Sequence, residues 1–314
     1  MAVFLGFDGG GTKVAARAED ASGAVLFEGR GGPANWASTP RGELLHHLED
    51  AARGAPKADH VAVCLAGLLT EQDAGEVARA LHDRFPGARI TAFPDYVAAW
   101  AAYDGPGDPI LVLSGTGSIV VSATENGCVL KSGGRGPLLG DEGSMVDLGR
   151  EAIKTVGEGR PDEGWRRAVM GDADRLDEWI AEIYRSSSVP SRVAEIGSLA
   201  LRAGGPESEA IVRVVADRLA ETVWTHLRSR VEWSQLAHRR TPWRVKRGSA
   251  PVGPPALVLV GGLWEASPRY EDEFRIAMRL RIDREHRIAE GCIIDRLRHP
   301  PVLGAVRLAR QWSL

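Results

Sequence analysis

The chain has 314 residues, enough for one large domain or two of ordinary size. Hydrophobic residues make up 44% and charged residues 26% of it, so the composition excludes a disordered chain and predicts a soluble globular protein. The formal net charge of −3 shows no basic surplus, and we therefore expect no nucleic-acid partner.

The first third of the chain predicts an α/β unit. Short apolar runs joined by tight turns are typical of antiparallel strands. Such runs lie at 2–7, 13–18 and 24–28. Apolar residues at helical spacing predict helices at 40–53 and 71–85, and buried-type strands are predicted at 61–66 and 90–93. The last of these strands ends at Pro94-Asp95.

A second unit begins near the Gly-Pro-Gly hinge at 105–107. Strands are predicted at 110–113, 119–123 and 128–131. Asn126-Gly127 between the last two is a strong hairpin signal. Strand, glycine turn, strand, turn and strand therefore occur in both halves, which indicates an internal duplication.

The rest of the chain is mainly helical by its pattern. Helices are predicted from 143 to 230, a buried strand at 256–260 and a final helix at 301–312. The segment 228–255 is polar, basic and proline-containing, so we expect an insertion or a mobile loop there. The basic run 228–247 within it is typical of a solvated loop, with a partner or nucleic-acid contact as the alternative.

Cysteine spacing and apolar run lengths point to the cytoplasm. Cys64, Cys128 and Cys292 lack the paired spacings of disulfide frameworks, zinc sites and iron–sulfur sites, so we expect reduced thiols. The N-terminal apolar run stops at Asp8, too early for a signal-peptide core. The uncharged stretch 251–264 is shorter than the roughly 20 residues that span a bilayer. We therefore expect a cytoplasmic protein without membrane contact.

A glycine-rich loop follows the first predicted strand. Its glycines let the backbone approach an anion closely, and their N–H groups can form a nest for phosphate oxygens. The hydroxyl of Thr12 and the ammonium group of Lys13 add donors, and Asp8 could hold Mg²⁺ through water. A plain glycine hairpin turn explains the motif equally well. The predicted cofactor contacts are Asp8, Gly9, Gly10, Gly11, Thr12 and Lys13, with Asp8 as the metal ligand.

Two further small-residue loops follow buried strands in the second unit. The loop that begins at Ser114 has the same backbone donors and hydroxyls as the loop that begins at Asp8. These two loops together suggest a nucleotide polyphosphate held between two lobes. The loop that begins at Gly261 could let a flat base approach the backbone, although such a pair is often only a turn. The predicted contacts are Ser114, Gly115, Thr116 and Gly117 in the first loop and Gly261 and Gly262 in the second.

Taken in chain order, these motifs resemble a known family. The motifs are DGGGTK from Asp8, Pro94-Asp95 before an alanine-rich stretch, LSGTGS from Leu113, GPLLGDEGS from Gly136, and LVGG from Leu259. They are similar to those of the BadF/BadG/BcrA/BcrD family, which includes the N-acetylglucosamine kinases and belongs to the actin-like ATPase and sugar-kinase superfamily. The resemblance runs from 3 to 262 and extends to 304–309.

The resemblance implies an α/β fold of two ribonuclease-H-like (actin-like ATPase) lobes with a central cleft. ATP and Mg²⁺ would lie in that cleft. We expect an N-terminal lobe at 1–105 and a C-terminal lobe with a helical insertion at 106–300. The final helix at 301–314 is expected to pack back on the first lobe. A homodimer is compatible with this organisation.

The resemblance also implies site residues. Asp95 falls at the family's catalytic base, although the residues alone favour a helix cap there. Asn35, before Trp36 in a glycine/proline loop, falls at a sugar-binding asparagine, with a surface turn as the alternative. Gly204 lies in a turn that resembles the adenine side of the nucleotide site. The implied substrate contacts are Asn35, Asp95, Gly134, Arg135, Gly136 and Asp141.

Two positions depart from the family pattern. The family usually has aspartate where this chain has Gly205, and its N-acetylglucosamine kinases commonly carry an aromatic residue where this chain has Arg135. An arginine suits a more polar or acidic sugar.

The implied function is ATP-dependent phosphorylation of a hexose or amino sugar of the N-acetylglucosamine or glucosamine class. The 6-hydroxyl would be the acceptor. One alternative is a family ATPase that acts on a partner protein, whose cluster cysteines this chain lacks. The other is a non-catalytic sugar-sensing regulator, although neither end of the chain has a recognisable DNA-binding helix pair.

Overall fold

The computed structural model describes residues 1–159, 161–171, 173, 175–231, 240–246 and 253–311. They form two sheets with helices packed against them. The first sheet contains β1 (Val3–Gly9), β2 (Val14–Asp20), β3 (Val25–Gly31), β4 (His60–Leu65) and β5 (Arg89–Pro94). The second contains β6 (Asp108–Ser114), β7 (Ser118–Ala123), β8 (Cys128–Gly133), β9 (Arg240–Arg244), β10 (Pro255–Val260) and β11 (Ile293–Arg296).

The helices follow the same chain order. In the first lobe they are α1 (Arg41–Ala51), α2 (Glu71–Leu81) and α3 (Asp95–Ala101). In the second they are α4 (Met145–Glu158), α5 (Glu163–Met170), α6 (Leu176–Arg185), α7 (Val189–Ala203), α8 (Gly205–Val231), α9 (Gly262–Ala266) and α10 (Pro268–Arg284). The last is α11 (Pro301–Gln311). None of the helices in the described ranges is long and apolar enough to cross a membrane.

The two sheets repeat one topology. The first has the order β3-β2-β1-β4-β5, and the second has β11-β10-β6-β7-β8-β9. β1 is antiparallel to β2 and parallel to β4, and β6 is likewise antiparallel to β7 and parallel to β10. The predicted duplication and the expected pair of ribonuclease-H-like lobes are therefore confirmed. Among the described strands of the second sheet, β9, which pairs with β8, is the one without a counterpart in the first sheet.

Alternation along β6 explains how the second sheet is covered on both faces. Ile110 and Val112 belong to the core under the helices of the second lobe, whereas Leu111 belongs to the core of the first lobe. Successive side chains of a strand point to opposite faces of the sheet. One face of the second sheet therefore packs against helices of the second lobe, and the other packs against α3 of the first lobe. The indole of Trp100 in α3 donates to the carbonyl of Pro109, 3.0 Å away, and joins the lobes.

The final helix packs back on the first lobe, against α3 and β1. Gly304 makes this possible, because a Cβ there would lie 1.8 Å from the carbonyl oxygen of Ala98. Gly6 in β1 serves the same purpose, since its Cβ would lie 2.4 Å from the nitrogen of Val306. The backbones are in direct contact, and no larger residue fits at either position.

A cation completes the contact between the two helices. One nitrogen of the Arg307 guanidinium donates to the carbonyls of Ala101, Ala102 and Tyr103 at 3.1, 2.9 and 3.1 Å. These carbonyls lie at the C-terminal end of α3, where helical carbonyls lack partners and the helix dipole favours positive charge. Arg307 therefore caps α3 from α11.

The loop predicted over 228–255 was wrong at Arg240–Arg244, where β9 pairs with β8. α8 ends at Val231, one residue beyond the helical segment predicted to 230. Trp243 and Val245 are buried while Pro242 and Arg244 are exposed, which is the alternation of a strand. Proline and neighbouring arginines hid this pattern, although proline is tolerated on an edge strand. The remaining basic positions, Arg239 and Arg247, lie outside the described residues.

The elements between β10 and α11 had not been predicted. They include α9, α10 and β11. α10 carries many charged residues and buries only one face, which includes Phe274 and Met278. Its ion pairs with α8, such as Arg281 with Asp217 at 2.8 Å, lie on the surface. The short apolar run of β11 is too weak a pattern to identify alone.

We predict that Gly304→Ala destabilises the protein. The methyl group would overlap the backbone of Ala98, and overpacking of this kind costs about 1–3 kcal/mol or more. Gly157→Ala in α4 is the matched control, because its Cβ would meet nothing closer than 3.7 Å. It should be neutral or stabilising by up to about 1 kcal/mol. Urea unfolding measures both, and equal effects would contradict the close contact.

Candidate functional site

Two carboxylates meet where the parallel strands of the first sheet end. β1, β4 and β5 are parallel, with Asp8 beside Cys64 and Cys64 beside Phe93 in register. Asp95 follows two residues later as the first residue of α3. The negative charges of Asp8 and Asp95 interact, with the buried Cys64 between their strands. The structure thus brings together the two aspartates that the sequence assigned to metal and catalysis.

Burial makes both carboxylates unusually basic. Burial foremost, and then the charge of Asp95, raises the pKa of Asp8 to about 7, although Lys13 acts in the opposite direction. Burial also raises the pKa of Asp95, against the lowering effect of hydrogen bonds from backbone N–H groups. The pKa of the Cys64 thiol is raised by burial and by both aspartates. A cation or a proton is therefore favoured at this pair.

Asp95 is not the N-cap of α3. The N-cap is Pro94, which makes no side-chain hydrogen bond, and Asp95 is the first helical residue. Its Oδ1 accepts the backbone N–H of Tyr96 at 2.8 Å. One carboxylate oxygen thus satisfies the first turn of the helix. The capping role that the residues alone favoured is present only in this altered form.

The turn after β1 has the open backbone that an anion needs. Gly9 is a packing residue, since its Cβ would lie 2.6 Å from Leu65 Cδ2. Around Gly10 and Gly11 there is space, with no neighbour closer than 4.0 Å. The N–H of Gly10 donates to the carbonyl of Lys13, but no backbone hydrogen bond within the described residues uses the N–H groups of Gly11 and Thr12. These two donors are available for an anion.

The turn after β6 is built differently. The hydroxyls of its two serines are used in hydrogen bonds within the protein. Ser114 Oγ donates to the carbonyl of Gly143 at 2.6 Å, and Ser118 Oγ donates to the carbonyl of Glu142 at 2.7 Å. The N–H of Gly115 donates to the carbonyl of Gly117. The hydroxyl left at the surface is that of Thr116. Any contact of Ser114 with a cofactor would therefore be made by its backbone, and that contact stays a prediction.

The glycine pair after β10 lies against this turn. Gly261 has φ of +112°, and a Cβ there would lie 2.3 Å from the carbonyl oxygen of Ser114. A Cβ on Gly115 would lie 3.9 Å from the nitrogen of Gly262, which itself faces open space. The two turns form one continuous backbone surface. Gly204, in the turn between α7 and α8, also has open space beside it, and its nucleotide contact stays a prediction.

The loop that carries Asn35 joins the same edge of the first sheet. Ala34 N donates to the carbonyl of Gly10 at 2.8 Å, and Asn35 bridges to Ala66 after β4. The amide oxygen of Asn35 accepts the N–H of Ala37 at 2.9 Å. The amide nitrogen is the group that remains for a ligand. Asn35 therefore lies beside the first glycine turn, as its predicted role requires.

Trp36 makes this loop rigid. Its indole N–H donates to Asp73 Oδ1 at 3.0 Å, and the guanidinium of Arg41 lies 3.4 Å from the ring centroid. The cation–π contact holds one face of the ring, and the hydrogen bond holds its edge.

Asp141 adopts a strained backbone conformation. Its φ of +61° is the one positive value among the described non-glycine residues. The side chain is buried. Burial raises the pKa of its carboxyl group, against the lowering effects of the backbone N–H groups of Ser118 and Gly136 and of the charge of Arg150. A non-glycine residue with a positive φ destabilises the folded state by about 1–3 kcal/mol. Such a conformation persists where surrounding contacts hold it, often at binding sites.

The supports of this strained loop were not predicted. Asp147 Oδ2 accepts the N–H of Gly143 at 3.0 Å, while its Oδ1 pairs with Arg218 at 3.0 Å. The hydroxyl of Tyr270 donates to the carbonyl of Gly143 at 2.6 Å. The spacing from Ser144 to Asp147 is a helix-start signal that could have identified Asp147. Tyr270 comes from a distant helix, and no local pattern points to it.

Arg135 borders a cavity of about 430 Å³ between the end of β8 and α8. β7 is antiparallel to both β6 and β8. The C-terminal end of β8 therefore lies on the same side of the sheet as the turn after β6. Arg135 is exposed there. Its neighbours around the cavity include Lys131, Ser132, Glu142, Arg218 and Thr222. The lining is polar and charged, which suits a hydroxylated ligand.

The described residues contain no group of three or more His, Cys, Asp or Glu side chains that could hold a metal ion. Asp8 offers one carboxylate. Mg²⁺ in nucleotide sites is commonly held by one or two carboxylates together with substrate phosphates and water. The arrangement thus fits Mg²⁺ that arrives with a nucleotide, and not a dedicated protein cage.

Comparisons with known proteins agree with this geometry. Residues 5–306 match the model of the BadF/BadG/BcrA/BcrD ATPase family. The chain is 29% identical, over 210 residues, to an N-acetylmuramic acid/N-acetylglucosamine kinase of Clostridium acetobutylicum. That alignment covers 62% of this chain and 69% of the relative.

Solved structures share the fold. One, assigned as an N-acetylglucosamine kinase from Chromobacterium violaceum, has a TM-score of 0.67 and 25% identity, and the match covers 98% of this chain and 99% of that one. A ROK family glucokinase from Streptomyces griseus, solved with glucose and AMPPNP, has a TM-score of 0.54 and 18% identity, with coverages of 99% and 100%. The chain therefore has the actin-like ATPase and sugar-kinase fold.

We predict that Asp8 makes stability depend on pH. Its folded pKa of about 7 lies above the ordinary value of 3.8, so its protonated form favours the folded state. That contribution is complete below about pH 4 and is lost as the pH rises through 7. Without Mg²⁺ or nucleotide, wild type should lose roughly 2–4 kcal/mol relative to Asp8→Asn between pH 4 and pH 8.

Urea unfolding across that pH range measures the difference. Asp83→Asn, which changes an exposed carboxylate outside the site, should follow the wild-type profile. Parallel profiles for wild type and Asp8→Asn would contradict the raised pKa.

Proposed function

Because the chain belongs to the BadF/BadG/BcrA/BcrD ATPase family, we propose that it is a sugar kinase that transfers the γ-phosphoryl group of ATP to a hexose or amino sugar. The observation that carries the proposal is the pair of partly buried, desolvated carboxylates, Asp8 and Asp95, beside an open glycine turn. The similar turn in the second lobe supports it. A phosphoryl-transfer site needs a base, a phosphate cradle and a cation ligand. The residues proposed for these roles lie together where the parallel strands of the first sheet end.

Asp95 is proposed as the general base. Its desolvated carboxylate is more basic than an exposed aspartate, which suits removal of a proton from a sugar hydroxyl near neutral pH. Its oxygen bonded to Tyr96 fixes the carboxylate, while the other oxygen would accept the proton. We propose the 6-hydroxyl as the acceptor, because a primary hydroxyl is the least hindered. Asn35 and Asp141 would bind other hydroxyls of the sugar.

Backbone N–H groups are proposed to hold the phosphates. Those of Gly11 and Thr12 would contact them from the first lobe, and the turn around Thr116 from the second. Gly261 and Gly262 would lie against the base of the nucleotide. Mg²⁺, bound with the nucleotide and contacted from Asp8 through water, would supply positive charge to the β- and γ-phosphates.

The substrate is proposed to be an amino sugar of the N-acetylglucosamine class, including derivatives that carry a carboxylate. The similar kinase from Clostridium acetobutylicum is described for both N-acetylmuramic acid and N-acetylglucosamine. Here Arg135 and Lys131 border the cavity between the end of β8 and α8, and no ion pair among the described residues involves either of them. A guanidinium can bind a carboxylate with two parallel hydrogen bonds.

Sugar-dependent release of ADP tests the proposed reaction. A family ATPase that acts on a partner protein would release ADP at the same rate with and without sugar. A non-catalytic regulator would bind sugar without turnover. The assay uses purified protein, ATP, Mg²⁺ and a panel of neutral and carboxylate-bearing amino sugars.

We predict that Asp95→Asn abolishes sugar phosphorylation and spares ATP binding. The carboxamide keeps the shape of the side chain but cannot take the proton, so turnover should fall about 10²–10⁴-fold. Asp83→Asn, which changes an exposed carboxylate outside the site, is the control and should retain wild-type turnover. Near-normal turnover of a folded Asp95→Asn protein would remove Asp95 from this role.

We predict that Arg135 sets the preference between sugars. Glucosamine and carboxylate-bearing sugars should compete at least as well as N-acetylglucosamine in wild type. Arg135→Trp should shift the ratio of kcat/KM values toward N-acetylglucosamine, because an indole offers apolar surface to the acetamido methyl and no charge to a carboxylate. A strong wild-type preference for N-acetylglucosamine that Arg135→Trp leaves unchanged would show that Arg135 does not face the sugar.

A further inference from the structure

Strand β9 brings a side chain of the second lobe next to Asp95. Thr241 Oγ1 donates to the carbonyl of Val129 at 2.9 Å, and Val245 N donates to that of Gly127 at 2.9 Å. These bonds fix β9 to β8 and to the hairpin before it. The buried face of β9 thus continues the face of the second sheet that meets the first lobe, and Trp243 and Val245 belong to the core of that lobe.

Trp243 contacts residues on both sides of Asp95. Its ring centroid lies 6.5 Å from that of Phe93, with the planes at 59°. The Trp243 side chain also interacts with the Tyr96 hydroxyl, and this interaction lowers the pKa of Tyr96 against the stronger raising effect of burial. Trp243 and Phe93 are buried, and Tyr96 is partly buried. One side chain therefore clamps the residue two before Asp95 and the residue after it.

The junction that carries Asp95 needs such support. β5 is an edge strand of the first sheet, so it is hydrogen-bonded on one side only. α3 is only seven residues long, and its N-cap Pro94 makes no side-chain bond. The described hydrogen bonds of the Asp95 carboxylate come from backbone N–H groups at the helix start. Nothing within these bonds fixes the junction from the open side of β5.

We propose that Trp243 is a positioning residue for phosphoryl transfer, which clamps the strand-to-helix junction from the second lobe and so holds Asp95 at its working geometry. This proposal rests on the proposed function of Asp95 as the base. Misplacement of a catalytic group by about 1 Å can cost on the order of 10²-fold in rate. The role of Trp243 is indirect, since it acts through Phe93 and Tyr96.

The test begins with turnover. Trp243→Ala should lower kcat about 10–100-fold and leave KM for ATP unchanged, because the phosphate turns are not touched. Trp243→Phe keeps a ring against Phe93 but loses the N–H, so its kcat should lie between those of wild type and Trp243→Ala. Trp179→Ala is the matched control, because Trp179 is fully buried among the helices of the second lobe. It should lower the melting temperature without lowering kcat.

The pH profile separates positioning from general loss of stability. The groups that face Asp95 are Asp8 of β1, Cys64 of β4 and Tyr96 of α3, with Lys13 beside Asp8. Water admitted by Trp243→Ala would reduce the burial that raises the pKa of Asp95. The acidic limb of the kcat profile should therefore move to lower pH in Trp243→Ala and stay in place in Trp179→Ala.

Hydrogen exchange of the free protein gives a readout that needs no activity. Amide exchange in α3 should accelerate in Trp243→Ala, and in Trp243→Phe if the alanine variant does not fold, but not in Trp179→Ala. Unchanged exchange in α3, wild-type kcat in Trp243→Ala, or an equal loss of kcat in folded Trp179→Ala would each overturn the inference. Absence of sugar-dependent ADP release by wild type would contradict the proposed function, while the exchange result still decides whether Trp243 holds the junction.

Discussion

The rest of the structure depends on the direct contact between α3 and α11. Each helix follows the last parallel strand of its sheet, and the two backbones touch where Gly304 meets Ala98. α3 also lies on the inner face of the second sheet, and α11 lies on the first. Because Asp95 is the first residue of α3, the helix that joins the lobes also carries the proposed base. Packing at Gly304 and the position of that carboxylate are therefore parts of one arrangement.

Stability is reduced at the places where ligands would bind. Asp8 and Asp95 are two like charges in a poorly solvated edge, and Asp141 holds a positive φ. Each of these is unfavourable by itself. The loop of Asp141 is held from four separate elements, by Ser114 of β6, Ser118 of β7, Asp147 of α4 and Tyr270 of α10. A site whose backbone is already held in place before a ligand arrives loses less conformational entropy on binding.

Each lobe contributes different groups to the proposed reaction. The first lobe would supply the base, the metal contact and Asn35, and the second lobe would supply Asp141 and Arg135. Phosphate donors come from the turns of both. Trp243 crosses this division, since it is covalently part of the second lobe and packs in the core of the first. A change in how the lobes sit together would therefore be transmitted to Phe93 and Tyr96, on either side of Asp95.

The sequence by itself determined the duplicated strand pattern, the two glycine turns and, through a family resemblance, the family and the fold. Local rules suffice for these features, because apolar alternation, Asn126-Gly127 and runs of glycine act within a few residues. It did not reveal β9, since Pro242 and the arginines beside it masked the alternation. Only the tertiary structure decided that Asp8 and Asp95 share one desolvated edge, that Ser114 and Tyr270 both hold Gly143, and that Trp243 reaches Phe93. These contacts join residues far apart in the chain, and burial, which raises the pKa of both aspartates, exists only once the sheets and helices have packed.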